Sequence, residues 1–553
     1  MMSKSVIIPS AKLVPIELQA EFGRIPSAMI PINSKPVLEF IVDFYKNAEY
    51  TIGVNEGSEI IKFYASKFLK ENAISIHDVG YTNNLGETIF SIMSNYTSNP
   101  DNLIINFADT LLLENNDLEG DFIFYAEPKD LFRWTTYSLD ENSKIAFIKE
   151  KNTFKRESSN SYVFIGVFGF SDFVTFKEIL SNQLKMVNPD LDPFYSAILK
   201  YYNGKGRINY IKVDSWYDFG HLDTYFETKK RMDEGCREFN TLSVDSTRGI
   251  ITKRSKHVDK FIGEIEWYLK LPSGINYLAP RVFNYSLNYT SPFVSLEYYG
   301  YPALNDLFLF GNLDLGAWRR ILAAIEKVIK DMHQYTYNST NDNELVNAMK
   351  EMYETKTIQR INMYINDPLY INFRKDNLNN SHKHLLLEKI IELIPIVLQK
   401  SNIYSNPKFT IIHGDLCMSN ILYDRRNGIV RIIDPRGKFG KFDIYGDYKY
   451  DLAKLSHSFL GDYDFLVKGL FEIGYEKEGM MLNIYANKSH QIIKKMFEEM
   501  LQQISQNEFN NIRLLESLLF LSLVPLHKDR PKSQIAFLLK GIELFSKYAS
   551  EYI

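Results

Sequence analysis

The sequence predicts two folded domains, an α/β domain over residues 1–240 and an α+β domain over residues 245–553. The chain has 553 residues, more than one hydrophobic core usually holds. In the first part, short apolar runs that indicate strands alternate with helical patterns, which favours a layered α/β domain. In the second part, a small group of strands is followed by recurring helical patterns, one of them over residues 451–473, which favours segregated strands and helices.

Composition and charge narrow the class of protein. The formal net charge is −4, which disfavours nucleic acid as the main partner. The two cysteines, Cys236 and Cys417, cannot form a disulfide framework and suit a cytoplasmic protein. No run of about 18 apolar residues is present, and the apolar run at the N-terminus is too short for a signal peptide. We therefore expect a cytoplasmic protein without a membrane span.

The first domain begins with a strand, and acidic residues follow later strands. Asp109 comes directly after one apolar run, and Asp218 follows another. Polar side chains at strand ends of a layered domain often lie at one edge of the sheet. The predicted strands cover residues 5–9, 102–107, 145–148, 162–170 and 208–213, and a helix is predicted over residues 37–46.

The order of these pieces resembles the sugar-phosphate nucleotidyltransferases. That family has a P-K-x-x-x-P segment, a strand ending in G-D, an E-K pair and a late W-x-D-x-G. The matching segments here are Pro-Ser-Ala-Met-Ile-Pro at 26–31, Leu-Gly-Glu-Thr at 85–88, Ala108-Asp109, Glu150-Lys151 and Trp-Tyr-Asp-Phe-Gly at 216–220. The resemblance implies a Rossmann-like, GT-A-like nucleotidyltransferase domain that binds an NTP with Mg²⁺, whether CTP, UTP or GTP.

The resemblance also assigns roles to individual residues. Asp109 and Asp218 are the metal-ligand candidates, because two carboxylates can hold Mg²⁺ across reacting phosphates. Lys151 is the catalytic candidate, because its charge can neutralise the attacking phosphate of a phosphomonoester. Gly86 lies in the segment that resembles the loop beside the nucleotide base.

Two departures from the family pattern leave the activity of this domain open. The loop at residues 9–15 has no glycine, although close approach of backbone N–H groups to a triphosphate favours glycine. Ser27 stands where the family has lysine, and Lys12 or Arg24 could supply the lost charge. Three interpretations therefore stand: an active transferase with an altered loop, a binding domain without catalysis, or a related transferase with different chemistry.

Residues 223–241 have a helical pattern of mixed charge, and the domain boundary is predicted within residues 240–247. The second domain then begins with a strand over residues 248–254 that carries Lys253 and a helix over residues 257–270. A kinase-type fold holds ATP phosphates with a strand lysine that pairs with a helix glutamate.

The helix offers two glutamates for that pairing. Glu264 shares a face with Trp267, while Glu266 lies about 200° from Glu264 around the helix axis. Glu264 is therefore the candidate, with Glu266 as the competing choice. Residues 293–300 then predict an apolar strand that runs into a hinge and includes Glu297 and Tyr299. Tyr298 and Tyr299 could equally be ordinary aromatic residues at a strand end.

Residues 409–437 contain the strongest chemical pattern of the chain. A predicted strand at 409–412 leads to His-Gly-Asp at 413–415, and Asn420 precedes two more short strands that end at Asp434. Phosphoryl transfer needs one carboxylate to accept the proton of an attacking hydroxyl, and an amide and a carboxylate to hold Mg²⁺. Asp415 fits the first role, and Asn420 and Asp434 fit the other two.

This stretch resembles the catalytic loop of the aminoglycoside phosphotransferase and choline kinase family, which has H-G-D-x-x-x-x-N followed by I-D. Residues 446–453, Gly-Asp-Tyr-Lys-Tyr-Asp-Leu-Ala, resemble the family's next element. The resemblance implies a protein-kinase-like fold that binds ATP and Mg²⁺, with Glu297 and Tyr299 in the connection that pairs with adenine. His413 is interpreted as a brace of the loop. Arg436 and Lys438 either contact phosphate or remain solvated.

Together the two resemblances predict a bifunctional enzyme. A kinase makes a phosphomonoester, and a nucleotidyltransferase consumes one. ATP would phosphorylate a small alcohol, amino alcohol or sugar, and an NTP would then convert the product to a nucleotide-linked donor. The resemblance points to bacterial capsule or lipopolysaccharide precursor synthesis. The alternative is a single-activity small-molecule kinase whose first domain only binds a nucleotide-sugar. The oligomeric state stays open.

Overall fold

The computed structural model describes residues 4–45, 47–112, 118–127, 133–151, 161–186, 191–214, 216–233, 235–237, 240–379, 384–476 and 479–553. The chain forms two compact units. The first unit comprises Met1–Lys229 and Phe310–Asn312, and the second unit comprises Lys230–Leu309 and Leu313–Ile553.

The first unit is built on a nine-stranded mixed sheet. The strands of this unit are β1 (Lys4–Ser10), β2 (Pro31–Ile32), β3 (Lys35–Pro36), β4 (Ala48–Val54), β5 (Ala73–Asp78), β6 (Asn102–Asn106), β7 (Thr110–Leu112), β8 (Phe122–Ala126), β9 (Thr136–Leu139), β10 (Ile145–Lys149), β11 (Tyr162–Phe170), β12 (Asn209–Lys212) and β13 (Trp216–Asp218). Of these, β2 pairs with β3 and β7 pairs with β13 in two small separate sheets. The large sheet has the order β10-β9-β11-β6-β1-β4-β5, and β8 joins β11 to β12. Strands β6, β1, β4 and β5 run parallel, and β11 runs antiparallel to β6.

Burial of both sheet faces explains the apolar runs in this unit. Val6, Ile7 and Ile8 are consecutive on β1 and fully buried, which is expected for a parallel strand that helices cover on both sides. The helices of this part are α1 (Ile16–Phe22), α2 (Val37–Phe44), α3 (Ser58–Phe68), α4 (Leu85–Ser94), α5 (Phe173–Leu184), α6 (Pro193–Asn203) and α7 (Leu222–Asp233). This architecture confirms the predicted α/β class.

The second unit starts with a five-stranded antiparallel sheet in the order β14-β15-β16-β18-β17. These strands are β14 (Gly235–Arg237), β15 (Asn240–Asp245), β16 (Ile250–Ser255), β17 (Val282–Ser286) and β18 (Phe293–Glu297). Three two-stranded sheets follow, formed by β19 (Phe409–Ile411) with β22 (Tyr445–Asp447), β20 (Ile421–Asp424) with β21 (Ile429–Ile432), and β23 (Phe471–Glu476) with β24 (Gly479–Ile484). This separation of strands from helices confirms the predicted α+β class.

Helices make up most of the rest of the second unit. They are α8 (Val258–Lys270), α9 (Leu304–Leu309), α10 (Leu315–His333), α11 (Asp342–Lys350), α12 (Lys356–Asn362), α13 (Pro368–Asn379), α14 (Leu387–Lys400), α15 (Tyr448–Phe459), α16 (Tyr463–Lys468), α17 (Lys488–Ser505), α18 (Phe509–Leu523) and α19 (Pro531–Ala549). A π-helical segment, Glu351–Thr355, joins α11 to α12. Within the described residues, one helical stretch, Phe509–Leu526, is long and apolar enough to cross a membrane, and 72% of it is buried inside the structure.

Two secondary-structure predictions are wrong. The helix predicted over residues 223–241 ends at Asp233, and Asn240–Asp245 forms β15, which pairs with β16. The residues of β15 alternate between half-buried and exposed, which is the period of a strand and not of a helix. The helix predicted over residues 451–473 is instead α15, α16 and the start of β23.

Candidate active sites

A buried ion pair links the sheet of the second unit to helix α8. Lys253 on β16 places its Nζ 2.9 Å from Oε1 and 3.0 Å from Oε2 of Glu264. Both residues are only 8% exposed. The competing Glu266 lies 3.7 Å from Lys270. The structure therefore pairs Lys253 with Glu264, as the helix-face argument predicted.

The same lysine contacts the predicted metal ligand after β21. The Lys253 ammonium lies 2.8 Å from Asp434 Oδ1. Asp434 adopts a φ of 57°, and its backbone N–H donates to the Tyr268 hydroxyl at 3.1 Å. Burial lowers the pKa of Lys253, but Asp434 and Glu264 outweigh burial and raise it above its usual value. The lysine therefore remains charged between two carboxylates.

Asp415 and Asn420 form the third part of this site. Lys454 on α15 places its ammonium 2.9 Å from Asp415 Oδ1. The Asn420 amide nitrogen donates to the Asp415 backbone oxygen at 2.9 Å. Burial raises the pKa of Asp415, but Lys454, His413 and Arg436 together lower it below its usual range. Asp415 is therefore ionised at neutral pH.

Hydrogen bonds to buried groups brace the catalytic loop. Asp451 accepts from the backbone N–H of His413 at 2.6 Å and from that of Gly414 at 2.8 Å. Burial lowers the pKa of His413 to about 4, so its ring is neutral at physiological pH. The ring bridges the Ile433 carbonyl at Nε2 and the Asp415 backbone N–H at Nδ1, and one tautomer serves both contacts. His413 thus braces the loop, as the sequence suggested.

Two glycines in this region are required by the close approach of neighbouring groups. Gly414 has a φ of 77°, and a Cβ there would lie 2.9 Å from the Cβ of Arg436. Gly437 has a φ of 69°, and a Cβ there would lie 1.9 Å from the carbonyl oxygen of Gly263. A side chain at 414 would push apart the loops that carry Asp415 and Asp434, and one at 437 would push the second of these loops away from helix α8.

The predicted adenine connection lies on the strand beside Lys253. Glu297 ends β18, where it pairs in register with Ile250 of β16. The Tyr299 hydroxyl donates to Glu297 Oε2 at 2.8 Å, and the Arg431 guanidinium lies 5.1 Å from the Tyr299 ring centroid. Neither Glu297 nor Tyr299 is among the described residues that line the main cavity of this unit. Their contact with adenine stays a prediction.

This cavity has a volume of about 640 Å³ and opens beside the catalytic loop. Glu264, Asp415 and Asp434 line it together with residues of α12 and α18. Its volume lies in the range of small-molecule sites. The second unit therefore brings Lys253, Glu264, Asp434 and Asp415 to one site, as predicted for a phosphoryl-transfer centre.

Lys454, the partner of Asp415, was not predicted from the sequence as a site residue. Lys454 follows Asp451 by three residues on α15, so both side chains lie on one helix face toward the catalytic loop. Lys454 directly follows the 446–453 element, in the order Asp-Leu-Ala-Lys at 451–454. This position was the sequence signal from which Lys454 could have been predicted.

In the first unit, the structure brings Asp109 and Asp218 together. Asp218 ends β13, which pairs with β7 so that Asp218 is opposite Thr110. The Phe219 backbone N–H donates to the Asp109 carbonyl at 2.9 Å. A Cβ on Gly220 would lie 3.1 Å from Asp109 Oδ2 and 3.4 Å from Asp218 Oδ1. The two carboxylates therefore converge above Gly220, which has no side chain to separate them.

The electrostatics of this carboxylate pair suit a cation. Burial, and then the charge of Asp109, raise the pKa of Asp218 to about 7. Burial also raises the pKa of Asp109, while Lys151 opposes that shift. Asp218 Oδ2 is buried and has no hydrogen-bond partner among the described residues. Lys151 is exposed just after β10, close enough to act on both carboxylates.

Gly86 and Lys12, the two other residues predicted to bind the nucleotide in this unit, are distant from these carboxylates in the sequence. Each has its own surroundings. The Gly86 N–H donates to Asp192 Oδ1 at 3.1 Å, and a Cβ there would lie 2.9 Å from Phe194 N. Packing against helix α6 therefore accounts for this glycine. Lys12 is exposed and shares a pocket of about 160 Å³ with Ser27. Replacement of the family lysine by Lys12 stays a prediction.

Neither site is a closed cage of protein ligands for a metal. Within the described ranges, no group of three or more His, Cys, Asp or Glu residues could hold a metal ion. The first unit offers two carboxylates, and the second offers the Asp434 carboxylate with the Asn420 amide. Mg²⁺ is commonly bound by one or two carboxylates with substrate phosphates and water completing its shell. The residues present therefore fit a magnesium-nucleotide complex.

The carboxylate pair of the first unit predicts a pH-dependent response to Mg²⁺. The folded-state pKa of Asp218 is raised from 3.8 to about 7, so stability falls as pH rises through that window. Above about pH 7, Asp218 ionises beside the negative charge of Asp109, and a divalent cation offsets the resulting repulsion. We expect Mg²⁺ to raise the thermal midpoint more at about pH 8 than at about pH 5.5, measured by differential scanning calorimetry. Asp109→Asn should remove this difference, and an equal Mg²⁺ effect at both pH values in the unmodified protein would contradict the assignment.

A comparison with protein-family models finds no match, and neither does one with curated proteins. Solved structures with a similar fold include three at low sequence identity. The chain resembles a protein assigned as a glucose-1-phosphate thymidylyltransferase from Bacillus anthracis, with 13% identity, a TM-score of 0.32, and coverage of 41% of this chain and 94% of that one. It resembles 4-diphosphocytidyl-2C-methyl-D-erythritol synthase from Anaerococcus prevotii, with 13% identity, a TM-score of 0.30, and coverage of 42% and 96%. It also resembles a thermostable mutant of an aminoglycoside phosphotransferase, with 12% identity, a TM-score of 0.34, and coverage of 56% and 90%.

Proposed function

We propose that the second unit is a phosphotransferase that moves the γ-phosphoryl group of ATP to a small alcohol. The observation that carries this proposal is the position of the Lys253 ammonium. It lies within 3.0 Å of both Glu264 and Asp434, two residues from distant parts of the chain. A strand lysine held by a helix glutamate and facing a metal-binding aspartate is the arrangement that kinase-type phosphoryl transfer uses.

Each residue of this site has a different role in phosphoryl transfer. Asp415 orients the acceptor hydroxyl and takes its proton as the hydroxyl oxygen forms a bond to the γ-phosphorus. The bond from that phosphorus to the β,γ-bridging oxygen breaks, and ADP leaves with the electron pair. The cation beside Asp415 is Lys454, which keeps Asp415 ionised. Lys253 provides positive charge for the phosphates, and Mg²⁺ held by Asn420 and Asp434 would neutralise further charge when bound.

The geometry of the first unit favours a second activity, nucleotidyl transfer. A phosphomonoester oxygen would form a bond to the α-phosphorus of an NTP, and the bond to the pyrophosphate oxygen would break. Lys151 would neutralise the attacking phosphate, and Asp109 and Asp218 would hold Mg²⁺, which offsets phosphate charge when bound. The convergence of these two carboxylates above Gly220 supports this proposal. The base of the NTP, whether CTP, UTP or GTP, stays open.

The two activities would form consecutive steps of one conversion in the cytoplasm. The first makes a phosphomonoester from an alcohol, amino alcohol or sugar, and the second turns it into a nucleotide-linked donor of the kind used for capsule or lipopolysaccharide precursors. The glycine-free loop and Ser27 favour a second candidate, a single-activity kinase with a non-catalytic first unit. The paired carboxylates favour the bifunctional enzyme.

Measurement of ADP and pyrophosphate in one experiment distinguishes the bifunctional enzyme from the single-activity kinase. ADP release is measured with Mg²⁺ and ATP against a panel of neutral, cationic and anionic alcohols and sugars. The phosphorylated products are then supplied with CTP, UTP or GTP, and pyrophosphate release is measured. We expect both ADP and pyrophosphate. ADP without pyrophosphate would support the single-activity kinase, and the absence of ADP despite ATP binding would contradict the kinase assignment.

A further inference from the structure

On the side formed by α12 and the loop after Asp434, the cavity of the second unit is lined by the exposed Lys438 and by three half-buried cationic side chains. They are Lys356, Arg360 and Arg436, here called the cation cluster. All three are half-buried. Lys356 and Arg360 are four residues apart on α12 and therefore lie on the same helix face.

Among the residues that the structure describes, no carboxylate lies at salt-bridge distance from any member of the cation cluster. Arg436 donates to the Tyr450 hydroxyl at 3.1 Å, and Arg360 makes 3.4 Å contacts with the backbone and side-chain oxygens of Ser522. These partners are neutral. The positive charge of the cluster is therefore not balanced by the acidic groups described around it.

The acidic residues that line the cavity are engaged elsewhere or exposed. Asp415 pairs with Lys454, and Glu264 and Asp434 both pair with Lys253. The two remaining carboxylates of the lining, Asp259 and Glu351, are exposed to solvent. The cavity therefore has an excess of positive charge at its half-buried surface.

Such a cluster costs stability unless an anion occupies it. Like charges four residues apart on a helix repel each other, and burial adds a desolvation cost. Burial, together with Arg436, Arg360 and Lys454, lowers the pKa of Lys356 to about 6, and a bound anion would oppose that shift and keep the lysine charged. The π-helical segment Glu351–Thr355 ends immediately before Lys356, and π-helical insertions occur frequently at functional sites.

The position of the cation cluster favours binding of the acceptor and not of the triphosphate. Lys253 and Asp434 are the groups assigned to ATP, whereas Lys356 and Arg360 lie on α12 and Arg436 lies two residues after Asp434. Asp415, which would take the acceptor's proton, lines the same cavity and contacts Lys454, whose charge acts on Lys356. The same cavity is also lined by Leu515, Leu518 and Leu519 of α18, which provide an apolar wall for uncharged parts of a ligand.

Resting on the kinase function proposed above, we propose that the acceptor is an alcohol that also carries a phosphate or carboxylate group. The cation cluster binds that anionic group, and the acceptor hydroxyl lies at Asp415. Arg side chains bind both anions through paired N–H donors, and a lysine adds a point charge. Amino alcohols, which are cations at neutral pH, are therefore poor acceptors.

The test uses the full-length protein and two matched series of acceptors. The first series is glycerol, 3-amino-1,2-propanediol, glycerate and glycerol 1-phosphate, and the second is glucose, glucosamine, glucuronate and glucose 6-phosphate. ADP release is measured with Mg²⁺ and ATP, and binding of each compound is measured by isothermal titration calorimetry. The proteins are the unmodified chain, Lys356→Met, Arg360→Met, and the control Lys350→Met, an exposed lysine on α11.

We expect an anionic member to be the best acceptor and ligand of its series. Lys356→Met and Arg360→Met should each raise its KM by about 10-fold or more, as expected for the loss of one charge-assisted contact. The dissociation constant of Mg²⁺-ATP should stay unchanged, as should all values for Lys350→Met. Thermal midpoints should not fall, because each substitution removes repulsion. Separate comparison of phosphate and carboxylate members identifies the anion.

Several results would overturn the proposal. The first is that a neutral or cationic compound is the best ligand, and the second is that no anionic compound binds. The third is that anionic compounds bind the two cluster variants as tightly as they bind the unmodified chain. The fourth is that the cluster variants lose as much affinity for Mg²⁺-ATP as for the anionic compound. If no compound yields ADP, the kinase function fails. Calorimetry then still decides the anion site, because binding of an anionic compound that both cluster variants lose supports it independently of turnover.

Discussion

Asp415→Asn should lower acceptor-dependent ADP formation by about 10²–10⁴-fold, the range that a positioned general base contributes. Asparagine has nearly the same shape and keeps an oxygen for Lys454, which lies 2.9 Å from Asp415 Oδ1, but it cannot take the acceptor's proton. The dissociation constant of Mg²⁺-ATP should remain within about twofold, because Lys253 and Asp434 are unchanged. Steady-state kinetics and calorimetry measure the two quantities on the same protein.

The control for this prediction is Asp342→Asn, at an exposed position of α11. It should leave both turnover and ATP affinity unchanged. Wild-type turnover by Asp415→Asn would show that another group takes the proton. A matching loss of ATP affinity would show that Asp415 acts in nucleotide binding.

Asp109→Asn should lower pyrophosphate release by about 10²-fold or more, because it removes one of two carboxylates assigned to Mg²⁺. The same change should not lower the thermal midpoint. Asp109 helps to raise the pKa of Asp218, so replacing it removes a repulsion between two half-buried carboxylates. ADP formation by the second unit should be unchanged, since its site contains none of these residues.

Asp214→Asn, at an exposed position four residues before Asp218, is the matched control and should retain pyrophosphate release. Equal pyrophosphate release by Asp109→Asn and the unmodified chain would contradict the metal assignment. A large fall in the thermal midpoint would instead assign Asp109 a structural role in the turn that joins β6 to β7.

The sequence predicted elements best where burial dictates the pattern. Strand β11 was predicted at the observed bounds of 162–170, because its residues are almost all apolar and buried. The helix predicted over residues 223–241 ends at Asp233, because the mixed-charge pattern that predicted it does not mark where the helix ends. Pairing with β16 fixes the strand at Asn240–Asp245, and such a partner lies outside any local window.

The candidate site of the second unit was likewise predicted from the sequence only in part. The contact of Lys253 with Glu264 followed from the motifs and the helix-face argument, whereas Asp434 was predicted as a metal ligand of the same site and its direct contact with Lys253 was not predicted. Lys454 and the cation cluster were not singled out as a site, because their significance depends on which charges face one cavity. Lys356 in isolation is one of many lysines, and the lack of a carboxylate partner among the described residues is visible only in three dimensions.

The most direct test of the central claim follows the phosphoryl group itself. ATP radiolabelled in its γ-phosphate is incubated with Mg²⁺, the protein and the anionic acceptors, and the labelled products are separated. We expect a labelled phosphomonoester of an acceptor with the unmodified chain and almost none with Asp415→Asn. Label that appears only as inorganic phosphate, or the same labelled ester at equal rates with both proteins, would contradict it.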